Sequence, residues 1–238
     1  MALHDSAFGR VIGVLVSPEK TFLSIAERPT WAVPLLLMAL FTLGFGWIAQ
    51  HRVNQVEMVK YQMDKLGIEL DKAQMEKIES DAANSSQAKQ LVGLGFGAVA
   101  VAVTYLVIAA LFLVVFKLAG SEVDFGRSLS TTLHGFLPAG VVAALLNLVI
   151  AFPRATISPE EMTTGLLASS LRPLAPEDAP VLQSLLGSVD FFAIWSAVLL
   201  ILGFRTVAKV STRTSATVVL VLWGLWVLGK AGFVAVFN

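Results

Sequence analysis

The chain has 238 residues, of which 56% are hydrophobic and 14% charged, with mean hydropathy +0.76. A soluble domain carries about 25% charged residues, so this composition points to a membrane protein. Seventeen basic and seventeen acidic residues give no net charge and no basic excess for nucleic acid, and the absence of cysteine excludes disulfides, thiolate nucleophiles and Cys-ligated zinc.

The first thirty residues are too polar to span a bilayer. Phe8, Val11, Ile12 and Leu15 recur at helical spacing in SAFGRVIGVL. The next stretch, SPEKTFLSIAERP, offers Ser17 as cap, Pro18 at the first helical position and Pro29 as a stop. Residues 1–29 are therefore expected to form two short amphipathic helices, lying on the membrane surface or packed beneath the spans. The apolar run VIGVLV is too short for a cleavable leader.

Residues 30–238 hold five segments apolar enough for about 30 Å of hydrocarbon: roughly 31–49, 91–116, 133–152, 188–204 and 216–237. None alternates in polarity, which argues against a barrel and leaves helices to satisfy the backbone in lipid. The expected fold is all-α, with five transmembrane helices, amphipathic amino-terminal helices and an extracytoplasmic helical hairpin. The fourth span is near the minimum length and is expected to begin earlier, at SLLGSV.

Between the spans, residues 50–90 read as a helical hairpin in water. Val53, Val56, Met63, Leu66 and Leu70 continue the apolar face of the first span, Gly67 is a break, and Asp71 with Gln74 forms a capping-box pattern for a second helix lined by Met75, Ile78 and Ala82. Asp124 is a cap for a helix that runs through Phe125, Leu129, Leu133 and Phe136 into the third span. In 153–187, Ser158, Pro159 and Glu161 mark one helix start and APEDAPVLQSLLG another, so this segment also caps the bundle.

An odd number of spans puts the two ends on opposite sides. The loop RTVAKVSTRTS carries Arg205, Lys209 and Arg213 and no acid, which places it in the cytoplasm. The amino terminus is then cytoplasmic, the carboxyl terminus extracytoplasmic, and 50–90 and 153–187 lie outside. The six basic residues of 50–90 oppose this assignment, although seven acids accompany them.

No chemistry-bearing motif stands out. His4, His51 and His134 are scattered, no HExxH or phosphate-binding glycine motif occurs, and His134 sits at the cytoplasmic start of the third span as an interfacial histidine. No metal, cofactor or catalytic residue is expected. The glycine-rich stretches GLGFGAVA and GLWVLGKAG suit close helix packing, within the chain or against a second copy.

The deep polar residues are Asn147, Asp190 and Lys230. Lys230 lies eight residues from the end, about 12 Å along a helix, in the outer half of the fifth span. It can snorkel to the headgroups, or pair with Asp190. Asp190 precedes the turn at Lys209 by 19 residues and Lys230 follows it by 21, so their heights differ by about 3 Å. Asn147 is expected to make an interhelical hydrogen bond, or to join Asp190 and Lys230 in a site for a small polar substrate.

Three stretches, SPEKTFLSIAERPTWAVPLLL, LAGSEVDFGRSLSTTLHGFLPAGV and VDFFAIWSAVLLILGFRTVAKVSTRTSA, together resemble the Yip family, the Rab-interacting membrane proteins with five spans, in its bacterial form. The resemblance implies five spans and a cytoplasmic amino terminus. In eukaryotic relatives it implies binding of Rab-type GTPases, but the Asp-Leu-Tyr-Gly-Pro element ahead of their first span is absent here. The expected role is a non-catalytic scaffold, adaptor or membrane-organising protein of the bacterial inner membrane. Its partners would be the lipid bilayer and other proteins, or a second copy. The alternative is a small transporter or channel for a polar solute or lipid, against which the lack of an inverted repeat counts.

Overall fold

A computed structural model describes residues 6–237, and within them the chain is helical. Helices α1 (Ala7–Val16) and α2 (Pro18–Glu27) lead into α3 (Ala32–Arg52). The hairpin α4 (Gln55–Lys65) and α5 (Lys72–Ala83) follows, then α6 (Gln87–Leu118) and α7 (Phe125–Ala151). After α8 (Pro159–Thr164), a 3-10 turn (Arg172–Leu174) and α9 (Pro180–Ser188), the chain ends with α10 (Phe191–Val207) and α11 (Thr212–Phe237). His4 lies outside the described residues.

Helices α3, α6, α7 and α11 are each long and apolar enough to cross a membrane, at 21, 32, 27 and 26 residues. They match, to within one residue at Trp31 and Phe152, the segments expected around 31–49, 91–116, 133–152 and 216–237. The fourth segment differs. Helix α10 starts at Phe191 instead of continuing back through SLLGSV, and its 17 residues rise about 25 Å. Helix α9 stops at Ser188 because the backbone at 189–191 bonds elsewhere: Leu171 N donates to Val189 O (3.1 Å) and Phe191 N to Ser169 O (3.0 Å). Asp190 then caps the new helix, accepting from Phe192 N and Ala193 N at 2.8 and 3.1 Å.

The hairpin after α3 also starts afresh. Val53 is extended and Asn54 accepts from Val56 N and Glu57 N, so α4 is a separate helix and not an extension of the first span. Gly67 supplies the turn with φ +65°, and the Asp71–Gln74 capping box opens α5. The Ser158–Glu161 capping box opens α8 in the same way.

The bundle has two polar ends. One, the turn end, carries α1, α2, the 119–124 loop and the α10–α11 turn. The other, the cap end, carries α4, α5, α8, the 3-10 turn and α9. Helix α10 is the packing hub: it lies chiefly on α7, then on α2 and α11. Its core joins Phe204 to Phe112 and Phe116 of α6, with ring centroids 4.7 and 4.5 Å apart.

Small residues sit where helices touch. A methyl group on Gly203 of α10 would stand 2.7 Å from Thr131 Cγ2 and 2.8 Å from the Phe22 ring. One on Gly135 of α7 would stand 2.5 Å from Leu200 Cδ2, and one on Gly46 of α3 would stand 2.7 Å from Leu94 Cδ2. Close approach therefore uses these three glycines. The stretches singled out in the sequence behave otherwise: Gly93, Gly95, Gly97, Gly224, Gly229 and Gly232 have nothing of this chain within 4 Å of an added methyl.

Helix α2 is part of the bundle, with Thr21, Phe22 and Ile25 fully buried. Helix α1 is inverted relative to an ordinary surface helix. Gly9, Arg10, Gly13 and Val14 face inward, while Phe8, Ile12, Leu15 and Val16 are exposed. The two glycines are buried against the bundle, and the bulky apolar side chains are left facing outward.

Candidate functional site

Two polar regions are candidates, one in the core of the turn end and one in the cap end. The first begins with the sequence SLSTTLHG. Ser128, Ser130, Thr131, Thr132 and His134 are all fully buried on α7, because α1, α2, α3, α6 and α10 surround that half of the helix. Two of these groups tie α7 to other elements, and two bond back to its own backbone. Ser128 Oγ donates to Ala109 O (2.7 Å) and Thr131 Oγ1 to Arg127 O (2.8 Å). Ser130 Oγ exchanges two bonds with the backbone of Thr30. His134 Nδ1 meets Ser130 O at 2.8 Å, while its Nε2 and the Thr132 hydroxyl have no partner among the described residues. His134 is thus a core residue of the bundle, not an interfacial one.

Arg10 belongs to the same region, and sequence reasoning missed it. Its guanidinium is buried and bonds Ser24 Oγ (3.0 Å), Arg28 O (2.5 Å) and Thr30 Oγ1 (3.2 Å). A signal did exist: an arginine on the glycine face of an amphipathic pattern must turn inward when the bulky face turns out.

At the cap end the three deep polar residues of the sequence have separate tasks. Asn147 Oδ1 accepts from Leu166 N (2.8 Å) and Leu167 N (3.2 Å), and its Nδ2 donates to Ala143 O (2.8 Å). It anchors the 165–167 loop onto α7. Asp190 uses one carboxylate oxygen to cap α10 and the other to accept from the Ser169 hydroxyl. Lys230 is half-buried and makes no ion pair with Asp190 or with any other described residue. The two residues are close in height along their helices, but the Asp190 carboxylate turns to the break at the start of α10.

Lys230 instead lines a cavity of about 590 Å³ bounded by α4, α8, the 3-10 turn, α9 and α11. Lys65 and Arg172 line it too, as does Ser184, whose hydroxyl is buried without a partner. Arg172 Nη2 reaches Glu160 Oε1 (3.1 Å) and Gln183 Oε1 (3.2 Å). Neither Lys65 nor Arg172 stood out in the sequence, because surface cations in polar segments carry no pattern.

The neighbouring connections are capped with care. Arg52 at the end of α3 donates to Ala151 O and Phe152 O, both at 3.1 Å, and to Arg154 O. Its charge thereby meets the negative end of α7. Glu161 is held below its ordinary value by the Ser158 backbone amide and then by the Arg154 guanidinium. Asp124, the cap of α7, is also lowered: partial desolvation raises it, but the Arg127 amide and guanidinium together outweigh that.

A second, more apolar cavity of about 550 Å³ lies between α3, α6 and α7, lined by Phe41, Phe45, Tyr105 and Phe136 among others. Among the described residues no three His, Asp or Glu side chains converge as metal ligands.

Residues 12–234 match the Yip1 domain. The chain is 27% identical over 218 residues to the membrane protein YknW of Bacillus subtilis (strain 168), a stretch covering 92% of this chain and 87% of that protein. No solved structure matches it. With apolar helices long enough to cross a membrane and a match over nearly its whole length, the chain belongs to the Yip1-domain family of multipass membrane proteins.

Proposed function

We propose that this protein is a non-catalytic scaffold or adaptor of a bacterial inner membrane, with α10 as its short fifth span. The observation that carries the reading is the amino-terminal platform. Phe22 and Ile25 lock α2 into the bundle, and Arg10 staples α1 to α2. The side chains of Phe8, Leu15, Val16 and Leu23 stay exposed on that rigid base, at 61, 47, 68 and 58%. Such a face suits lipid contact at the membrane surface or docking of a partner.

The charge distribution supports a cytoplasmic turn end. Its polar segments, 6–31, 117–128 and 205–215, hold eight Lys and Arg in 49 residues, whereas the cap-end segments 50–90 and 153–190 hold eight in 79. Single cysteines are unique reporters in a chain that has none. An impermeant maleimide should label Ser85→Cys but not Ser211→Cys in intact spheroplasts, and the reverse pattern would overturn this orientation.

The role itself is tested by crosslinking in cells and gentle purification from native membranes. A protein recovered reproducibly at fixed stoichiometry is the expected result. Recovery of the chain alone, with only a lipid or solute, would sink the scaffold reading. A second copy docking through the outward glycines of α6 or α11 would count as such a partner. The alternative of a small transporter or lipid-handling protein is favoured by one observation, the cationic cavity at Lys230.

A further inference from the structure

The cap-end cavity is lined by an excess of cations. Lys65 of α4, Arg172 of the 3-10 turn and Lys230 of α11 all line it, no described lining residue is a carboxylate, and only Arg172 has an acidic partner, Glu160, beside the wall. Three separate elements therefore bring positive charge to one space.

The cations are also underused. Arg172 spends only Nη2 on Glu160 and Gln183, leaving Nη1 and Nε without partners among the described residues. Lys65 stands over the Tyr61 ring at 5.6 Å and forms no ion pair among the described residues. Lys230 lines the same space as Arg172 and forms no ion pair among the described residues. The Ser184 hydroxyl on the same wall is buried and unpartnered, in a fold that satisfies most of its buried polar groups.

Gathering like charges in a partly desolvated space is unfavourable unless something of opposite sign enters. A compact anion with several acceptor oxygens would meet two ammonium groups, one side of a guanidinium and a hydroxyl together. The volume, about 590 Å³, is that of an ordinary ligand site and exceeds what one small ion needs. Part of the wall is apolar, from Leu66, Pro180 and Phe233, and Phe233 lies on a membrane-spanning helix.

We propose that this cavity binds a phosphate-bearing anion, held by Lys65, Arg172, Lys230 and Ser184 where α11 meets the helical cap. The site is separate from the amino-terminal platform and goes beyond the scaffold role. The same chemistry is offered by an anionic phospholipid headgroup and by a soluble phosphate.

The test uses the purified full chain in detergent micelles, with thermal unfolding followed as probe is added. The probes are inorganic phosphate, dioleoylphosphatidylglycerol and, as the zwitterionic control, dioleoylphosphatidylcholine. Saturable stabilisation is expected with an anionic probe and not with phosphatidylcholine. Lys65→Gln and Lys230→Gln should each raise the midpoint concentration at least threefold and together at least tenfold. Lys209→Gln, at the opposite end, should leave it unchanged. A response to both anions identifies the phosphate group itself as sufficient, and a response to phosphatidylglycerol alone identifies the lipid headgroup. The proposal is overturned if neither anion stabilises the protein or if phosphatidylcholine does so equally. It is also overturned if the exposed Lys65→Gln variant, folded with an unchanged unliganded Tm, responds with the wild-type midpoint.

Discussion

The hydroxyl of Ser130 and the backbone of Thr30 hold each other at both ends: Thr30 N donates to Ser130 Oγ at 2.9 Å, and Ser130 Oγ donates to Thr30 O at 2.8 Å. One buried hydroxyl thereby satisfies both polar groups of the residue that links α2 to α3. It also sets the height of the amino-terminal platform against α7. Ser130→Ala should leave a half-buried amide and carbonyl unpaired and cost about 1–3 kcal/mol. A fall in Tm in detergent is expected, together with faster proteolysis near Thr30. The exposed Ser85→Ala substitution should change neither.

The glycine at the α7–α10 contact is a steric requirement. Gly203→Ala would press a methyl group against Thr131 and Phe22, and overpacking of this kind costs about 1–3 kcal/mol. Phe22→Leu in the same chain should recover part of the loss. Gly97→Ala, facing open space, should be neutral or gain up to about 1 kcal/mol from helix propensity. Unfolding in detergent measures all three, and equal losses at Gly203 and Gly97 would contradict this packing.

Asn147 anchors the 165–167 loop to α7. Asn147→Leu removes the acceptor of Leu166 N and Leu167 N. The 153–187 segment should then be cut by proteinase K several times faster while the membrane helices stay protected. If the cap remains as resistant as wild type, the anchor is not what holds it.

Two depressed carboxyls at helix starts give the protein an acid limit. Asp124 and Glu161 are both held below their ordinary values of 3.8 and 4.5. Their contribution is complete above those values and is lost as pH falls through the lower folded ones. Tm should therefore be level with respect to these groups at neutral pH and decline below about pH 4.5. In Glu161→Gln the decline should be shallower, read from Tm between pH 3 and 7.

Lys209 occupies the left-handed region, with φ 53°, at the turn between α10 and α11. Lys209→Gly should be neutral or slightly stabilising, whereas Lys209→Val should lower Tm because a branched side chain is strained there. Equal behaviour of the two variants would show that the turn adopts another conformation.

The elements that could be read directly are those governed by local chemistry. Asp71–Gln74, Ser158–Glu161 and Asp124 each cap the helix expected of them, because a cap needs only residues within three positions. The break between α9 and α10 could not be read that way. It depends on Ser169 and Leu171 bonding to residues twenty positions later, and local hydropathy runs straight through it. The pairing of Asp190 with Lys230 failed for a related reason. Height along two helices follows from counting residues, but the direction of a carboxylate follows from which amides are free nearby.

By itself the sequence determined that this is an all-helical membrane protein, where its long apolar helices lie and which residues start several of the short ones. Apolar length and capping chemistry are local properties, so they are written in consecutive residues. Only the tertiary structure decided that Gly46, Gly135 and Gly203 make the close contacts, that α1 turns its glycines and Arg10 inward, and that Lys65, Arg172 and Lys230 share a cavity. Those outcomes depend on the rotation of each helix about its axis. In a helix apolar all round, hydropathy does not specify that rotation, and packing against distant partners does.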